Sequence, residues 1–362
     1  MSFRDSVPKH LRDFPPMPVD KPLDVLSREF GTDVIQMGMN ENPFGPSPKA
    51  VQAMRSHLET TNRYPDETGY HLREKLAGHF KVSMEEVIVG AGASDLLGIA
   101  FNAMLSPDAE VLTSQGSFIV YYLLAANTGM RIDCVPLRDY VIDLGAIAER
   151  ITPRTRLIVI ANPNNPTGTI IGRRQFEAFL ERVPGHVLLI MDEAYFEYVD
   201  SDDYPNSLDY HRSGKSILTL RTFSKVFGLA GLRIGYGISS REVIETLYKV
   251  RTTYNLGGLA IAAGLAAWDD REHVAQSVEK NRVEREFLSK ELARRRVQHV
   301  PSFTNFILMN FHRSPDDIAD ALLRQGVIVR SMAGWGIPAG VRVSIGTREH
   351  NEKFLTALEK VL

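Results

Sequence analysis

Lys225 and Arg233 stand eight residues apart across a glycine-containing turn, Thr222-Phe-Ser-Lys-Val-Phe-Gly-Leu-Ala-Gly-Leu-Arg233, and the acidic step Asp192-Glu-Ala-Tyr195 lies upstream of them. An amine, a guanidinium beside a hydroxyl, and a carboxylate are the groups that pyridoxal phosphate requires. Lys225 would bond the aldehyde, Ser224 and Arg233 would hold the phosphate, and Asp192 would keep the ring nitrogen protonated.

Taken singly, these residues are weak signals. Lys225 is one of 42 lysines and arginines, and a lone lysine is most often a solvated surface group. Asp192 ends a strongly apolar run, where a carboxylate is costly unless paired, and a helix cap satisfies it as well as a pyridinium N–H does. Asn162-Pro-Asn-Asn-Pro-Thr-Gly168 holds two prolines and a glycine, which fix a loop able to aim a side-chain amide; a plain tight turn is the alternative. Gly90-Ala-Gly-Ala-Ser-Asp95 follows an apolar run and opens a helical pattern, so its backbone N–H groups suit a phosphate. It suits a structural strand-to-helix turn equally, and it lacks the G-x-G-x-x-G spacing of a dinucleotide site.

The elements that must carry these groups follow from hydrophobic pattern. Val87-Ile-Val89, Val111-Leu-Thr113, Leu157-Ile-Val-Ile160, Val187-Leu-Leu-Ile-Met191 and Ile217-Leu-Thr-Leu220 read as strands buried on both faces. Helical patterns at 95–104 and 173–182 alternate with them, which predicts a doubly wound α/β sheet with its ligand at the carboxyl ends of the strands. The candidate residues obey that rule: Asn162 to Gly168 follows one strand, Asp192 ends the next, and Ser224-Lys225 follows the third.

After Ala260 the pattern changes to a long charged helix near 272–296 and strands at 306–310, 327–330 and 341–345, which reads as a smaller α/β domain. The segment before Asn40 contains Pro8, Pro15, Pro16, Pro18 and Pro22 and reads as an extended arm packed on the small domain or on another subunit. The predicted division is 1–40 as arm and part of the small domain, 41–255 as the large cofactor-binding domain, and 256–362 as a connecting helix and small C-terminal domain.

Composition narrows the classes further. The chain has 362 residues, 44% apolar and 24% charged, with a formal net charge of −2, so no basic field draws it to nucleic acid. Cys134 has no partner for an internal disulfide and reads as a buried structural thiol. Met1-Ser-Phe-Arg-Asp-Ser-Val-Pro8 lacks the profile of a secretory leader, and the apolar run 256–268 is short of the roughly 20 residues that a membrane span needs. A cytoplasmic protein with no membrane contact is expected. His71 and His79 lack metal-pair spacing and are expected on a helical face, so no metal is predicted.

Asn40-Glu-Asn-Pro-Phe-Gly-Pro-Ser-Pro-Lys-Ala50, Arg63-Tyr-Pro-Asp66, Asn162 to Gly168, Asp192 to Tyr195, Ser224 to Tyr236 and Val341-Arg-Val-Ser-Ile-Gly-Thr347 occur in one order across nearly the whole chain. In this the sequence resembles the fold-type I pyridoxal phosphate enzymes of the class I/II aminotransferase superfamily, and most closely the histidinol-phosphate aminotransferase family. The resemblance implies a large doubly wound, mostly parallel sheet domain and a smaller α/β domain. It implies Lys225 as the cofactor-bonding lysine that also moves protons, Asp192 on the ring nitrogen, Asn165 and Tyr195 on the ring's 3′-oxygen, and Tyr121 stacked on the ring. The phosphate would take the Ala93 and Ser94 amides, Ser224, Arg233, and Tyr64 from the other subunit of a homodimer with composite sites. Arg342, with Arg330 second and Asn165 beside them, would hold the substrate's anionic end.

Departures fall on the substrate side. Ser94 stands where the family usually has an acidic residue, which keeps the backbone amide. Met17 stands near a position that commonly carries an aromatic, and Thr252-Thr253 replaces a frequent proline pair. The implied reaction passes an amine from a donor, histidinol phosphate, to 2-oxoglutarate. An aromatic amino acid as donor, or a decarboxylase of the threonine-phosphate type, would use the same cofactor residues. A non-catalytic ligand-sensing module would need an attached DNA-binding domain, and no helix-turn-helix pattern precedes Asn40.

Overall fold

Apolar runs bounded by glycine, proline and polar residues form buried strands in the computed structural model, which describes residues 2–12, 14 and 21–362. In chain order the first eight strands are β1 Ile35–Gln36, β2 Val87–Gly90, β3 Glu110–Ser114, β4 Arg131–Val135, β5 Thr155–Ala161, β6 Leu188–Asp192, β7 Ile217–Thr222 and β8 Gly235–Ile238. Seven of them make one sheet in the order β2-β8-β7-β6-β5-β3-β4. Only β8 runs against its neighbours; the β7–β6, β6–β5, β5–β3 and β3–β4 pairs are all parallel.

Alternation within a single strand shows how the sheet is covered. Leu157, Val159 and Ala161 of β5 pack with Leu96, Leu97 and Phe101 of the helix Ala93–Ala103. Ile158 and Ile160 face the other way, onto Phe176 and Leu180 of the helix Arg173–Arg182. Each such side chain contributes about 1.5–3 kcal/mol when fully buried, and the two-residue period fixes which face it serves.

Two strands of this sheet were not predicted. β4 is an edge strand whose Arg131, Ile132, Asp133 and Cys134 are exposed or half-buried, so it lacks a continuous apolar run. Cys134 is accordingly half-buried rather than buried as expected. β8 reads Gly-Tyr-Gly-Ile, and its glycines mark close approach: a Cβ on Gly235 would lie 2.7 Å from the Ala93 amide nitrogen.

β9 Gln298–His299, β10 Phe306–Asn310, β11 Val327–Ile328, β12 Arg330–Ser331 and β13 Gly340–Ser344 complete the strands among the described residues. β12-β13-β10-β9 form an antiparallel sheet, and β1 pairs in parallel with β11. The single strand expected over 327–330 is therefore split between two sheets. In the β12–β13 pair Arg330 lies directly opposite Arg342. The helix Arg271–Arg294 links the regions, its Val274 and Val278 packing with Trp268 and Phe223 near its start and its Leu288 and Leu292 packing against β10 and β13 near its end.

The N-terminal segment departs from the extended arm expected of it. Short helices occupy Phe3–Ser6 and Lys9–Arg12, and a longer one Leu23–Phe30. Pro8 immediately precedes the second and Pro22 caps the third, positions where a missing N–H costs nothing. Pro15, Pro16, Met17 and Pro18 lie outside the described residues. Among those residues no helix is long and apolar enough to cross a membrane.

Candidate active site

The ends of β5, β6 and β7, the start of the helix Ala93–Ala103 and the β12–β13 pair enclose a cavity of about 630 Å3. Lys225, Asp192, Asn165, Tyr195, Ser224, Arg233, Ala93, Ser94, Arg330 and Arg342 all line it. A larger surface cleft of about 860 Å3, around Arg138, Arg174 and Arg182, contains none of them.

One end of the cavity is built for an anion. Gly92 caps the helix that begins with Ala93 and Ser94, and the Arg233 guanidinium donates to Ser224 Oγ at 3.2 Å and to the Ala230 carbonyl at 3.3 Å. Gly92 has φ +88°, and a Cβ there would come within 2.6 Å of Arg233 Nη2. Glycine thus lets a cation and a helix N-terminus approach one point, where both favour a phosphate.

At the other end Asp192 closes β6, only 5% exposed. It accepts from Tyr121 Oη at 2.8 Å and from the Ala194 amide at 3.2 Å; the second closes a local turn and is not the helix cap contemplated from sequence, since the next helical turn, Phe196–Tyr198, is capped by Tyr195. Burial pushes its pKa up from 3.8 to about 6 against those two hydrogen bonds. Its neighbour Glu193 is paired with buried Arg221 at 2.7 Å. Asp192 therefore sits in the wall as a desolvated carboxylate with no cation bonded to it among the described residues, which a protonated ring nitrogen would neutralise.

Tyr121 does not stack on anything in the cavity, contrary to expectation. It is fully buried, behind the wall, and reaches the site only through its hydrogen bond to Asp192. Phe118, three residues earlier, lines the cavity instead and meets Tyr121 edge-on at 5.7 Å. The reason is helical: Phe118 caps the helix Ile119–Thr128 at its cavity end, whereas the Tyr121 side chain turns inward toward the sheet.

Lys225 extends from the turn after β7 and donates to the Asn40 carbonyl at 3.1 Å and the Met39 carbonyl at 3.3 Å. Burial, followed by the nearby Arg342 charge, lowers its pKa from 10.5 to about 8. That favours the neutral, nucleophilic amine. Tyr195 accepts from Asn40 Nδ2 at 3.0 Å, and burial raises its phenol to about 12, so the hydroxyl keeps its proton.

Arg342, 4% exposed, donates to Asn165 Oδ1 and, at 2.6 Å, to the Gly38 carbonyl. Its guanidinium carbon lies 5.4 Å from the ring centres of both Phe306 and Trp335. Its buried Nε has no partner among the described residues, and burial lowers its pKa to about 10. Tyr64 stands apart: it is 84% exposed, meets Tyr254 in a tilted pair with ring centres 4.8 Å apart, and does not line this chain's cavity. Met17 lies outside the described residues.

Sequence reasoning missed Phe118, Trp335 and Glu41 as cavity residues. Glu41 lies inside the Asn40-Glu-Asn-Pro motif already singled out, and Phe118 stands three residues before the singled-out Tyr121; Trp335 gave no signal of its own.

These residues fit pyridoxal phosphate. The cup at Gly92 suits its phosphate, the buried Asp192 its ring nitrogen, and the neutral-leaning Lys225 its aldehyde. Comparison with known proteins agrees. The histidinol-phosphate aminotransferase of Moorella thermoacetica is 42% identical over 344 residues, covering 94% of this chain and 89% of that one. Histidinol-phosphate aminotransferase 2 of Pseudomonas aeruginosa is 42% identical over 345 residues, 94% of each chain. The crystal structure of the Sinorhizobium meliloti histidinol-phosphate aminotransferase in complex with pyridoxal-5′-phosphate superposes with a TM-score of 0.90 at 27% identity, covering 98% of this chain and 97% of that one. Residues 32–358 match the aminotransferase class I and II family, and with these relatives the match establishes that the chain belongs to it.

Proposed function

We propose that this chain is a cytoplasmic, pyridoxal phosphate-dependent aminotransferase that passes the amine of histidinol phosphate to 2-oxoglutarate. The observation that carries the reading is one cavity in which Lys225 and Asp192 face the arginine pair Arg330 and Arg342. The cofactor, when bound, supplies an aldehyde for amine exchange and a protonated ring that withdraws electrons from the reacting carbon.

The chain's own residues do the rest. Ser224, Arg233 and the Ala93 and Ser94 amides hold the phosphate, and Asp192 keeps the ring nitrogen protonated. Phe118 walls the ring, while Tyr195 and the amide of Asn165 orient its 3′-oxygen. Lys225, with its pKa lowered to about 8, holds and returns the proton at the donor's reacting carbon. Arg342 and Arg330 take the anionic end of each substrate in turn. Histidinol phosphate offers a phosphate and no carboxylate, whereas 2-oxoglutarate offers two carboxylates, and a planar guanidinium accommodates either.

Tyr64 is exposed and outside its own cavity. That placement supports a homodimer in which it completes the phosphate site of the second subunit.

A donor panel of histidinol phosphate, phenylalanine, tyrosine and threonine phosphate, read through the cofactor's absorbance, tests the reading. Histidinol phosphate should give the fastest amine transfer. Transfer from phenylalanine or tyrosine but not from histidinol phosphate would replace the donor, and CO2 release from threonine phosphate would replace the reaction.

A further inference from the structure

The cavity holds two carboxylates, Asp192 and Glu41, and the chemistry above uses only the first. Glu41 is exposed, lines the cavity, and makes no side-chain hydrogen bond or ion pair among the described residues. Its backbone, by contrast, is fixed from several sides. Asn40 takes the left-handed conformation, φ +55°, and its buried side chain donates to Tyr195 Oη at 3.0 Å and accepts from Ser344 Oγ at 3.1 Å. Asn305 Nδ2 donates to the carbonyls of Asn40 at 3.0 Å and Glu41 at 3.3 Å. On the far side Asn42 Nδ2 donates to the Val226 carbonyl at 2.9 Å. A loop held this firmly presents one unpaired carboxylate to the substrate space.

That carboxylate opposes part of the proposed reaction. Arg330 and Arg342 draw in an anion, and an acid elsewhere in the same cavity repels a second anionic group, which 2-oxoglutarate and glutamate both carry. A group that works against one substrate and has no internal partner is explained if the other substrate brings a cation or an N–H for it. Histidinol phosphate does so, since its imidazole is a basic ring, protonated below a pKa of about 6.5, at the opposite end from its phosphate.

We infer that Glu41 determines donor specificity: it receives the basic nitrogen ring of the donor while Arg330 and Arg342 hold the donor's anionic tail. This rests on the donor proposed above. The chemical class it selects is an amino donor with a basic heteroaromatic ring opposite a phosphate. Glu41 also supports the charge on Lys225, but that influence is common to both half-reactions and cancels in their ratio.

The test compares wild-type, Glu41→Gln and Glu41→Asp holoenzymes in single half-reactions, with histidinol phosphate and with glutamate, followed by cofactor absorbance. The ratio of kcat/KM for histidinol phosphate to that for glutamate should fall about tenfold or more in Glu41→Gln, chiefly through the KM for histidinol phosphate, and recover in part in Glu41→Asp. A ratio within about twofold of wild type, with both half-reactions slowed alike or neither slowed, overturns the inference. Failure of the wild-type enzyme to accept histidinol phosphate overturns the proposed donor and this inference together, so the wild-type arm separates the two failures.

Discussion

Asp192 should cost the protein stability in exchange for catalysis, and the two effects can be measured apart. Its pKa is raised from 3.8 to about 6 in the folded, cofactor-free chain, chiefly by burial. Between those values the folded chain binds a proton that the unfolded chain has released. Stability therefore falls as pH rises from about 4 to about 6 and stays lower above it. The difference is about 3 kcal/mol at pH 8. Asp192→Asn removes that charge but leaves one of the two donors, Tyr121 Oη or the Ala194 amide, facing an NH2 group, a loss of about 1 kcal/mol. The cofactor-free variant should thus be more stable than wild type by about 2 kcal/mol at pH 8 and gain little at pH 4.5. Denaturant titrations of both proteins across that range give the comparison. With cofactor bound the sign reverses in function: loss of the pyridinium partner should raise the barrier by about 2–4 kcal/mol, a roughly 30- to 1,000-fold loss of turnover. A cofactor-free Asp192→Asn protein less stable than wild type at pH 8, with an unchanged pH slope, would refute the desolvation argument. Turnover within about tenfold of wild type would refute the ring-nitrogen role.

Lys225→Ala should abolish turnover yet still hold the cofactor noncovalently, and borohydride reduction of wild type should fix the cofactor to the peptide containing Lys225. The rate of cofactor attachment to the cofactor-free chain should climb as pH passes through about 8, where the Lys225 amine loses its proton; an adduct on another lysine contradicts the assignment. Gly92→Ala puts a Cβ within 2.6 Å of Arg233 Nη2 at φ +88°. Spectrophotometric titration should show cofactor affinity about tenfold or more weaker, and undiminished affinity would count against the phosphate cup. Mixing inactive Tyr64→Ala and Lys225→Ala proteins should restore one working site per heterodimer, whereas demonstrated subunit exchange without recovery speaks against a composite site.

Strand ends and turns carried most of the legible signal. Lys225, Asp192 and Asn165 follow or end elements with strong apolar periodicity, so the doubly wound pattern alone placed them on one edge of the sheet, where the cavity lies. What was hidden depends on packing at a distance. The glycines of β8 look like strand breakers until the start of the helix Ala93–Ala103 is seen pressed against Gly235, and the side chains of Leu220, Ile88 and Leu218 against Gly237. Phe118 and Tyr121 are one helical turn apart and chemically alike, so only the helix's rotation decides which ring meets the cavity. Trp335 reaches the site from the turn between β12 and β13, whose path nothing local specifies. Proline counted as a sign of extended chain in the N-terminal segment, yet Pro8 and Pro22 stand at helix starts, where the same residue favours the helix.

The reversed direction of β8 has a mechanical consequence. In an all-parallel sheet the residue entering a strand lies at the edge opposite the ligand; because β7 and β8 form an antiparallel pair, the exit from β7 and the entry to β8 share the ligand edge. Lys225 and Arg233 therefore ride on one short connection, stapled by the bonds from the Phe223 amide to the Ile234 carbonyl and from the Leu229 amide to the Phe223 carbonyl. The spacing between the amine that bonds the cofactor's aldehyde and the cation that holds its phosphate is thus a property of a single rigid hairpin. Arg330 and Arg342, by contrast, belong to a different sheet. Any shift between the two sheets alters the reach toward the substrate's anion while leaving the cofactor's two anchoring points at constant separation.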